Sequence, residues 1–326
     1  MRKPRILVVG SCNMDYTFGG DRFPKEGETV MGDSFSTAAG GKGANQACQA
    51  ARAGAKVDFI GRIGQDANGS ELMRGLGEMG IDTSMTVLDP ESTTGCALIE
   101  LERHAEGTRN RIMVVPGAQI RFRDGELDFL RDRIGRYDMV LLQLEISMSA
   151  NETVADMAKE AGVPVMLNPA PYAPMSRGFL QNVSFISPNE HEAAEMTGIA
   201  ITDWESAEKA AAAIAESGPG NVLITMGEAG ALLYYEGKTV RVPSVKTEAV
   251  DPTAAGDSFV GAFCAAYAAG LAPDDSMIFA SHAASLTVSG YGAQPSIPDI
   301  NRIMKKLGDT ASRFDRDALS RLTGGN

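Results

Sequence analysis

Positive charge is in short supply in this chain. Thirty Lys and Arg stand against 42 Asp and Glu among 326 residues, a net charge of −12 at neutral pH, and no basic cluster stands out locally. That balance excludes nucleic acid and anionic membrane surfaces as partners, because both need a concentrated positive field. Cysteine is scarce too. Cys12, Cys48, Cys96 and Cys264 lie far apart with no C-x-x-C pair, which argues against metal or redox use and for free thiols in a reducing compartment. His104, His191 and His282 form no spaced cluster. No apolar run approaches the ~20 residues of a membrane span. The opening "MRKPRILVVGSCNMD" holds only four consecutive apolar residues before Gly10, so it reads as a first β-strand rather than a signal peptide. The expected location is the cytoplasm. Low-complexity tracts and internal repeats are also missing.

What is present is the composition of a globular protein, 44% hydrophobic and 22% charged. The length predicts one large core with a smaller appendage. Short aliphatic runs at 5–10, 56–64, 137–145, 163–169, 183–190 and 221–227 read as buried strands. Helical patterns at 43–54, 150–162 and 203–218 alternate with them. This rhythm predicts an α/β fold, a mostly parallel sheet covered by helices on both faces. Ligands bind such sheets beyond the carboxyl ends of the strands, where "GSCNMD", "QLE", "NPAP", "SPNE" and "TMGEAG" are expected to converge. Residues 14–36 and 94–115 break the rhythm as turn-linked strands without a helix. Paired in space, they would make a small β-sheet lid over the ligand edge. The tail after about 298 reads as helical and peripheral.

Five stretches carry chemistry or imitate it. "DPTAAGDSFVGAF" (251–263) sets Ala254, Ala255 and Gly256 against Asp257 where a helix starts. Small residues are common at helix starts, but a bare helix N-terminus also seats an anion on its amides. "AAGGKGANQA" (38–47) is not a P-loop, since Lys42 is followed by Gly43; its glycines suit close backbone approach to a small polar ligand. "GLGEMG" (75–80) matches the dinucleotide fingerprint but closes a helix instead of following a strand, so it is a decoy. In "SPNEHEAAEMTG" (187–198), Asn189 and Glu192 fit a capping box, or else Glu192 organises a hydrated magnesium ion. "VLITMGEAGALLY" (222–234) is a strand–turn–strand whose Thr225 and Gly227 suit either a nucleotide site or a plain hairpin.

Taken in chain order, these stretches resemble the ribokinase-like carbohydrate kinase family. The resemblance rests on "GSCNMD" (10–15), "GETVMG" (27–32), "GGKGANQA" (40–47), "QLE" (143–145), "LNPAP" (167–171), "PNEHE" (188–192), "LITMGEAG" (223–230), "DPTAAGDSF" (251–259) and "GAQPSIP" (292–298). It implies an α/β kinase domain over 1–13, 37–93 and 116–326, with a β-sheet lid at 14–36 and 94–115 that also joins two chains as a homodimer. The implied reaction is ATP-dependent phosphorylation of D-ribose to D-ribose 5-phosphate, or of another sugar or a nucleoside on the same scaffold.

The resemblance also implies residue roles. Asp257 matches the general base, and the amides of Ala254, Ala255 and Gly256 match the anion hole. Asn13, Asp15, Gly41, Lys42, Gly43, Asn45 and Glu145 match sugar-binding positions. Asn189 and Glu192 match the N-x-x-E motif tied to Mg²⁺ and phosphate. Thr225, Met226, Gly227, Glu228, Ala229 and Gly230, with Gly256 and Ser281, match nucleotide contacts, although His282 lies one position off the purine match. Asp251, Thr253, Thr287, Gly290, Gly292 and Ser296 match a K⁺ site. Two departures stand in that last group. Pro252 replaces the usual Thr, and "VSGYGAQ" (288–294) puts Gly290 at a usual Arg position.

Overall fold

The computed structural model describes residues 2–104 and 107–324. Met1, Gly325 and Asn326 of the expected kinase domain, residues 105–106 of the expected lid and the side chains of His104 and Thr108 lie outside the described residues. The first half runs β1 (Arg5–Val9), β2 (Asn13–Gly20), β3 (Ser34–Gly40), α1 (Lys42–Arg52), β4 (Lys56–Ile60), β5 (Arg62–Gly64), α2 (Ala67–Glu78), β6 (Val87–Asp89), β7 (Gly95–His104) and β8 (Gly107–Val115). The middle runs β9 (Met139–Gln143), α3 (Met148–Glu160), β10 (Val165–Asn168), α4 (Arg177–Leu180), β11 (Phe185–Ile186), α5 (Glu190–Thr197), α6 (Trp204–Ser217) and β12 (Asn221–Thr225). The last part runs β13 (Ala231–Tyr235), β14 (Lys238–Val242), α7 (Ala255–Ala269), α8 (Pro273–Thr287), α9 (Ile300–Leu307) and α10 (Arg316–Thr323).

Eight strands form the main sheet in the order β14-β13-β12-β11-β10-β9-β1-β4. It is parallel from β4 to β12, with β13 and β14 added antiparallel. Side chains alternate along β1 between two cores. Ile6 and Val8 join α1 and α7 on one face, whereas Leu7 and Val9 join α3 and α6 on the other. Burial on both faces is why these strands read as unbroken apolar runs. Helix α1 is buried at every position from Gly43 to Ala50 because α7 covers it. The two helices meet at Gly261, where a Cβ would stand 2.5 Å from the carbonyl of Gln46.

The two irregular β segments do pair. β2 runs parallel to β7, and β3 and β8 flank them to give a four-stranded sheet, β3-β2-β7-β8. The sheet starts one residue earlier and ends four residues later than the first expected segment, at Asn13 and Gly40. Three other expectations change. The run 56–64 breaks at Gly61, after which β5 leaves the main sheet to pair with β6. The run 183–190 keeps only two strand residues before Asn189 starts α5. The tail is helical but not peripheral: Ile303, Leu307, Phe314, Ala318 and Leu322 are buried in the α1–α7 core, closing apolar surface that α7 leaves bare. "GLGEMG" falls at the end of α2, and Gly80 terminates it with φ 78°.

Candidate active site

The carboxyl ends of β1, β9, β10, β11 and β12 face the N-termini of α1, α5 and α7. Helix α7 begins without a side-chain cap, and its first turn opens on a cleft of ≈ 240 Å³. Lys42, Asn189, Glu192, Thr225 and residues 254–257 line this cleft together with Asn168 and Ser187. At Gly256 a Cβ would meet nothing within 4 Å, so the space beside its Cα is open to the cleft. The amide of Ala255 donates to the carbonyl of Pro252 (3.2 Å), so the turn already engages one of the three expected anion-hole amides. Ala254 sits in the left-handed region, φ 61°, a cost of about 1–2 kcal/mol for a residue with a Cβ.

Asp251 holds that strained turn. Its Oδ1 accepts from Thr253 N and its Oδ2 from Gly292 N, both at 2.9 Å. The amides of Val250 and Asp251 also donate to the carbonyl of Val288. Burial raises the Asp251 carboxyl, but the Thr253 hydroxyl and amide and the Gly292 N–H outweigh it and hold the group below the usual carboxylate range. Loops 250–254 and 288–292 are thereby one unit. The other expected cation-site side chains turn inward. Thr287 Oγ1 donates to Ser258 Oγ (2.8 Å), and Ser296 Oγ donates to Ala293 O (2.8 Å). Gly290 explains its own departure, since a Cβ there would lie 2.9 Å from Ser296 Cβ.

Asp257 is buried. Its Oδ2 accepts from Asn45 Nδ2 (2.9 Å) and its Oδ1 from Gln46 Nε2 (3.0 Å). Burial pushes its carboxyl up, while Lys42, Asn45 and Gln46 pull it back and Glu145 adds to the rise. Lys42 faces three carboxylates. Burial opposes its charge, yet Asp257, Glu145 and Glu192 more than offset that and raise it.

Beyond Lys42 the polar groups continue. Lys42 N donates to Glu145 Oε2 (2.9 Å), which also accepts from Ser11 Oγ; Ser11 Oγ in turn accepts from Gly43 N (3.1 Å). Gly41 supplies a φ of 91° and passes 2.9 Å from Cys12 Cα at its Cβ position. Burial, with Glu145 adding, pushes the Asp15 carboxyl up to about 6. Asn13 Oδ1 and Asn45 Oδ1 are buried without a hydrogen-bond partner, and unpaired buried acceptors of this kind call for a polar ligand.

Asn189 and Glu192 form the capping box. Glu192 N donates to Asn189 Oδ1 (2.8 Å), and Asn189 N donates to Glu192 Oε2 (2.9 Å). The same Glu192 lines the cleft, with its carboxyl raised by burial against the pull of the Asn189 amide and of Lys42. The capping-box reading holds, and the capping carboxylate also faces the cleft. Residues 226–230 form the hairpin turn between β12 and β13. There Met226 N donates to Gly230 O (2.8 Å), and Gly227, Glu228 and Ala229 are exposed. Ser281 and His282 do not join this group. Ser281 Oγ donates to Met277 O, the His282 ring bonds Ile278 O, and neither lines the cleft.

The sequence reading missed Ser11, Gln46, Gln143, Asn168 and Ser187, although each stands inside or beside a quoted motif. Burial pushes the thiols of Cys12, Cys48 (to about 12) and Cys264 upward, and all four cysteines are free.

The pfkB family carbohydrate kinase model matches residues 3–300. A ribokinase from Haemophilus influenzae is 38% identical over 298 residues, covering 91% of this chain and 96% of the relative. A deoxyribokinase from Salmonella typhi is 31% identical over 303 residues, covering 93% and 98%. The structure of Arabidopsis thaliana ribokinase complexed with ribose and ATP superposes with a TM-score of 0.87 at 35% identity, covering 94% of this chain and 99% of that one. A bare 15-residue helix N-terminus beside a doubly held carboxylate is thus part of a likeness that extends over almost the whole sequence, and the chain belongs to the pfkB family of carbohydrate kinases.

Proposed function

We propose that the chain transfers the γ-phosphoryl group of ATP to the 5-hydroxyl of D-ribose. The observation that carries this reading is Asp257, buried, held at both oxygens, and set one residue past Gly256, whose Cα opens on the cleft. Asp257 accepts the proton of the sugar hydroxyl as its oxygen attacks the γ-phosphorus; the bond to the β-phosphate oxygen breaks and ADP leaves with the pair. The transition state is loose, so positioning and charge stabilisation do most of the work. The first-turn amides of α7 and the Lys42 ammonium provide that charge. Asn13, Asp15, Gly41, Lys42, Gly43, Asn45 and Glu145 hold the sugar, and the unpaired oxygens of Asn13 and Asn45 are spare acceptors for its hydroxyls. Thr225 and the 226–230 turn carry the nucleotide. Gly256 and Ser281 are the further nucleotide positions; the Ser281 hydroxyl donates to Met277 O within α8 and keeps its acceptor lone pairs.

Magnesium would be held at Glu192, whose carboxylate faces the cleft beside the unpaired hydroxyl of Ser187. Among the described residues, no group of three or more His, Cys, Asp or Glu could hold a metal ion, so water and phosphate oxygens complete its shell. Bound there, it would supply charge neutralisation on the phosphates. Potassium fits the unit of loops 250–254 and 288–292 through Asp251 and backbone carbonyls. Turnover is expected to rise in potassium over sodium, because the ion stiffens the turn that presents the α7 amides. Equal rates in the two salts, measured by coupled ADP release, would show that Pro252 and Gly290 mark a lost site.

The four-stranded sheet, with strands between Asn13 and Gly40 and between Gly95 and Val115, serves as the lid and closes over the sugar to exclude water. Asp15, Ala97 and Val114 share one face by register, with Ile99 and Ile112 alongside. Ile112 and Val114 are exposed on this face. An apolar lid face of this kind fits a second copy of the chain. Light scattering should find a dimer, and Ile112→Asp should yield monomers; a monomeric parent protein would contradict the interface. We place the protein in the cytoplasm on its free thiols. Among the described residues, no helix is long and apolar enough to cross a membrane. A coupled ADP-release assay across pentoses, hexoses and nucleosides tests the acceptor.

A further inference from the structure

Three partners lock the side-chain amide of Gln46. Its Nε2 donates to Asp257 Oδ1 and to Asn168 Oδ1, both at 3.0 Å, and its Oε1 accepts from Gln143 Nε2 at 2.7 Å. With both N–H hydrogens and the carbonyl committed, the amide has one orientation. The group is fully buried, and so is Gln143. The chain of bonds continues at both ends. Asn168 Nδ2 donates to Ser187 O (2.8 Å), the residue that leads into Asn189 and Glu192. Asn151 Nδ2 donates to Gln143 O (2.8 Å), which anchors β9 to α3. A network of side-chain amides thus sets where the Asp257 carboxylate points.

We propose that Gln46 is a positioning residue for phosphoryl transfer, fixing the Asp257 carboxylate relative to the strand that presents the Asn189–Glu192 motif. This rests on Asp257 acting as the base. Asn45 holds the other carboxylate oxygen, but it also carries an unpaired Oδ1 and is among the sugar-binding positions. Once Asn45 engages the sugar, Gln46 is the contact whose geometry the substrate does not alter. Charged groups facing Asp257 come from every side: Lys42 on α1, Glu145 after β9 and Glu192 on α5. Gln46 is a neutral donor among them, and a bond to the ionised carboxylate favours that form.

The test compares Gln46→Met, Gln46→Glu and Gln143→Met with Asp257→Asn by kcat, KM for ribose and ATP, melting temperature and the pH profile of kcat. Gln46→Met keeps the length and removes the donor. Its kcat should fall about 10–100-fold, as expected when a reacting group loses its alignment, with KM for ATP little changed. The acidic limb of its kcat profile should move to higher pH, because the carboxylate loses a supporting hydrogen bond. Gln46→Glu should move it further, by placing a second carboxyl against Asp257. Gln143→Met frees the amide to turn and should show a smaller loss in the same direction. A folded Gln46→Met with normal kcat and an unmoved limb overturns the inference while leaving the base intact. A kcat loss with no movement of the limb also overturns it, since packing alone would do that. Normal turnover in Asp257→Asn would instead overturn the reading of the base on which the inference rests.

Discussion

Asp257→Asn is expected to lower kcat by about 10²–10⁴-fold, the range for removing a positioned general base. The two donors that now meet a carboxylate explain what else to measure. Asn45 Nδ2 and Gln46 Nε2 each point at one oxygen of Asp257. An amide there offers one oxygen and one NH₂, so a donor is left facing a donor. The variant's melting temperature therefore has to be read beside its kcat. ATP binding should stay close to normal, because the nucleotide turn at 226–230 and the α7 amides are untouched. In the parent protein, kcat should fall as pH drops through the Asp257 pKa, since only the ionised form accepts a proton. Burial, the largest influence, holds that pKa above the ordinary carboxylate value. The acidic limb should thus lie higher than for an exposed Asp, and the residual rate of Asp257→Asn should lack it. Near-normal turnover in a folded variant removes Asp257 from the role of base.

2-Deoxyribose should be a poor acceptor beside ribose, with kcat/KM lower by more than about 10²-fold, because a site built to bond a hydroxyl rejects the analogue without it. Asp15 carries this prediction. Its carboxyl rises to about 6 through burial and the nearby Glu145, so at neutral pH it is ionised, crowded and in need of donors. Hydroxyls 2 and 3 of ribose would supply them if Asp15 holds both, and losing one would then leave a partly buried charge underpaired. Complete discrimination of ~10⁴–10⁵ needs a sealed pocket, and Asp15 retains some exposure. Adenosine meets a different obstacle, because a base needs an apolar or aromatic surface. Tyr16 and Phe18 stand one and three residues after Asp15 in β2, and successive side chains alternate sides of the sheet, so both face away from Asp15. Tyr16 bonds Asn68 (2.7 Å) and stacks on Phe35, while Phe18 packs against Phe35 at 4.9 Å. Both aromatics serve the other lid face. The measurement is kcat/KM for ribose, 2-deoxyribose, fructose and adenosine side by side. Fructose or adenosine outrunning ribose sinks the acceptor, though not the carbohydrate kinase. Deoxyribose matching ribose would align the pocket with the deoxyribokinase relative instead.

Local patterns determined a large part of this protein. The apolar runs of β1, β9, β10 and β12 are strands because only a sheet buried on both faces accommodates such continuity, and the sequence alone specified their helices. Gly80 ended α2 and exposed "GLGEMG" as a decoy through a positive φ that needs no partner. Asn189 and Glu192 are three residues apart, so their capping box was equally legible. Other features required the folded chain. That the two β segments pair was anticipated, but the parallel register of β2 on β7, about eighty residues apart, was not, because no periodicity in either one sets it. The left-handed turn at Ala254 persists because Asp251 reaches Gly292, 41 residues on. Gln46 was read only as part of a glycine-rich motif. Its role depends on Asn168 and Asp257, 122 and 211 residues away, arriving within 3.0 Å of one nitrogen. Periodicity encodes which face of an element is buried, but a hydrogen bond depends on where two atoms stop. Only the packing of α1 against α7 and the sheet decides that.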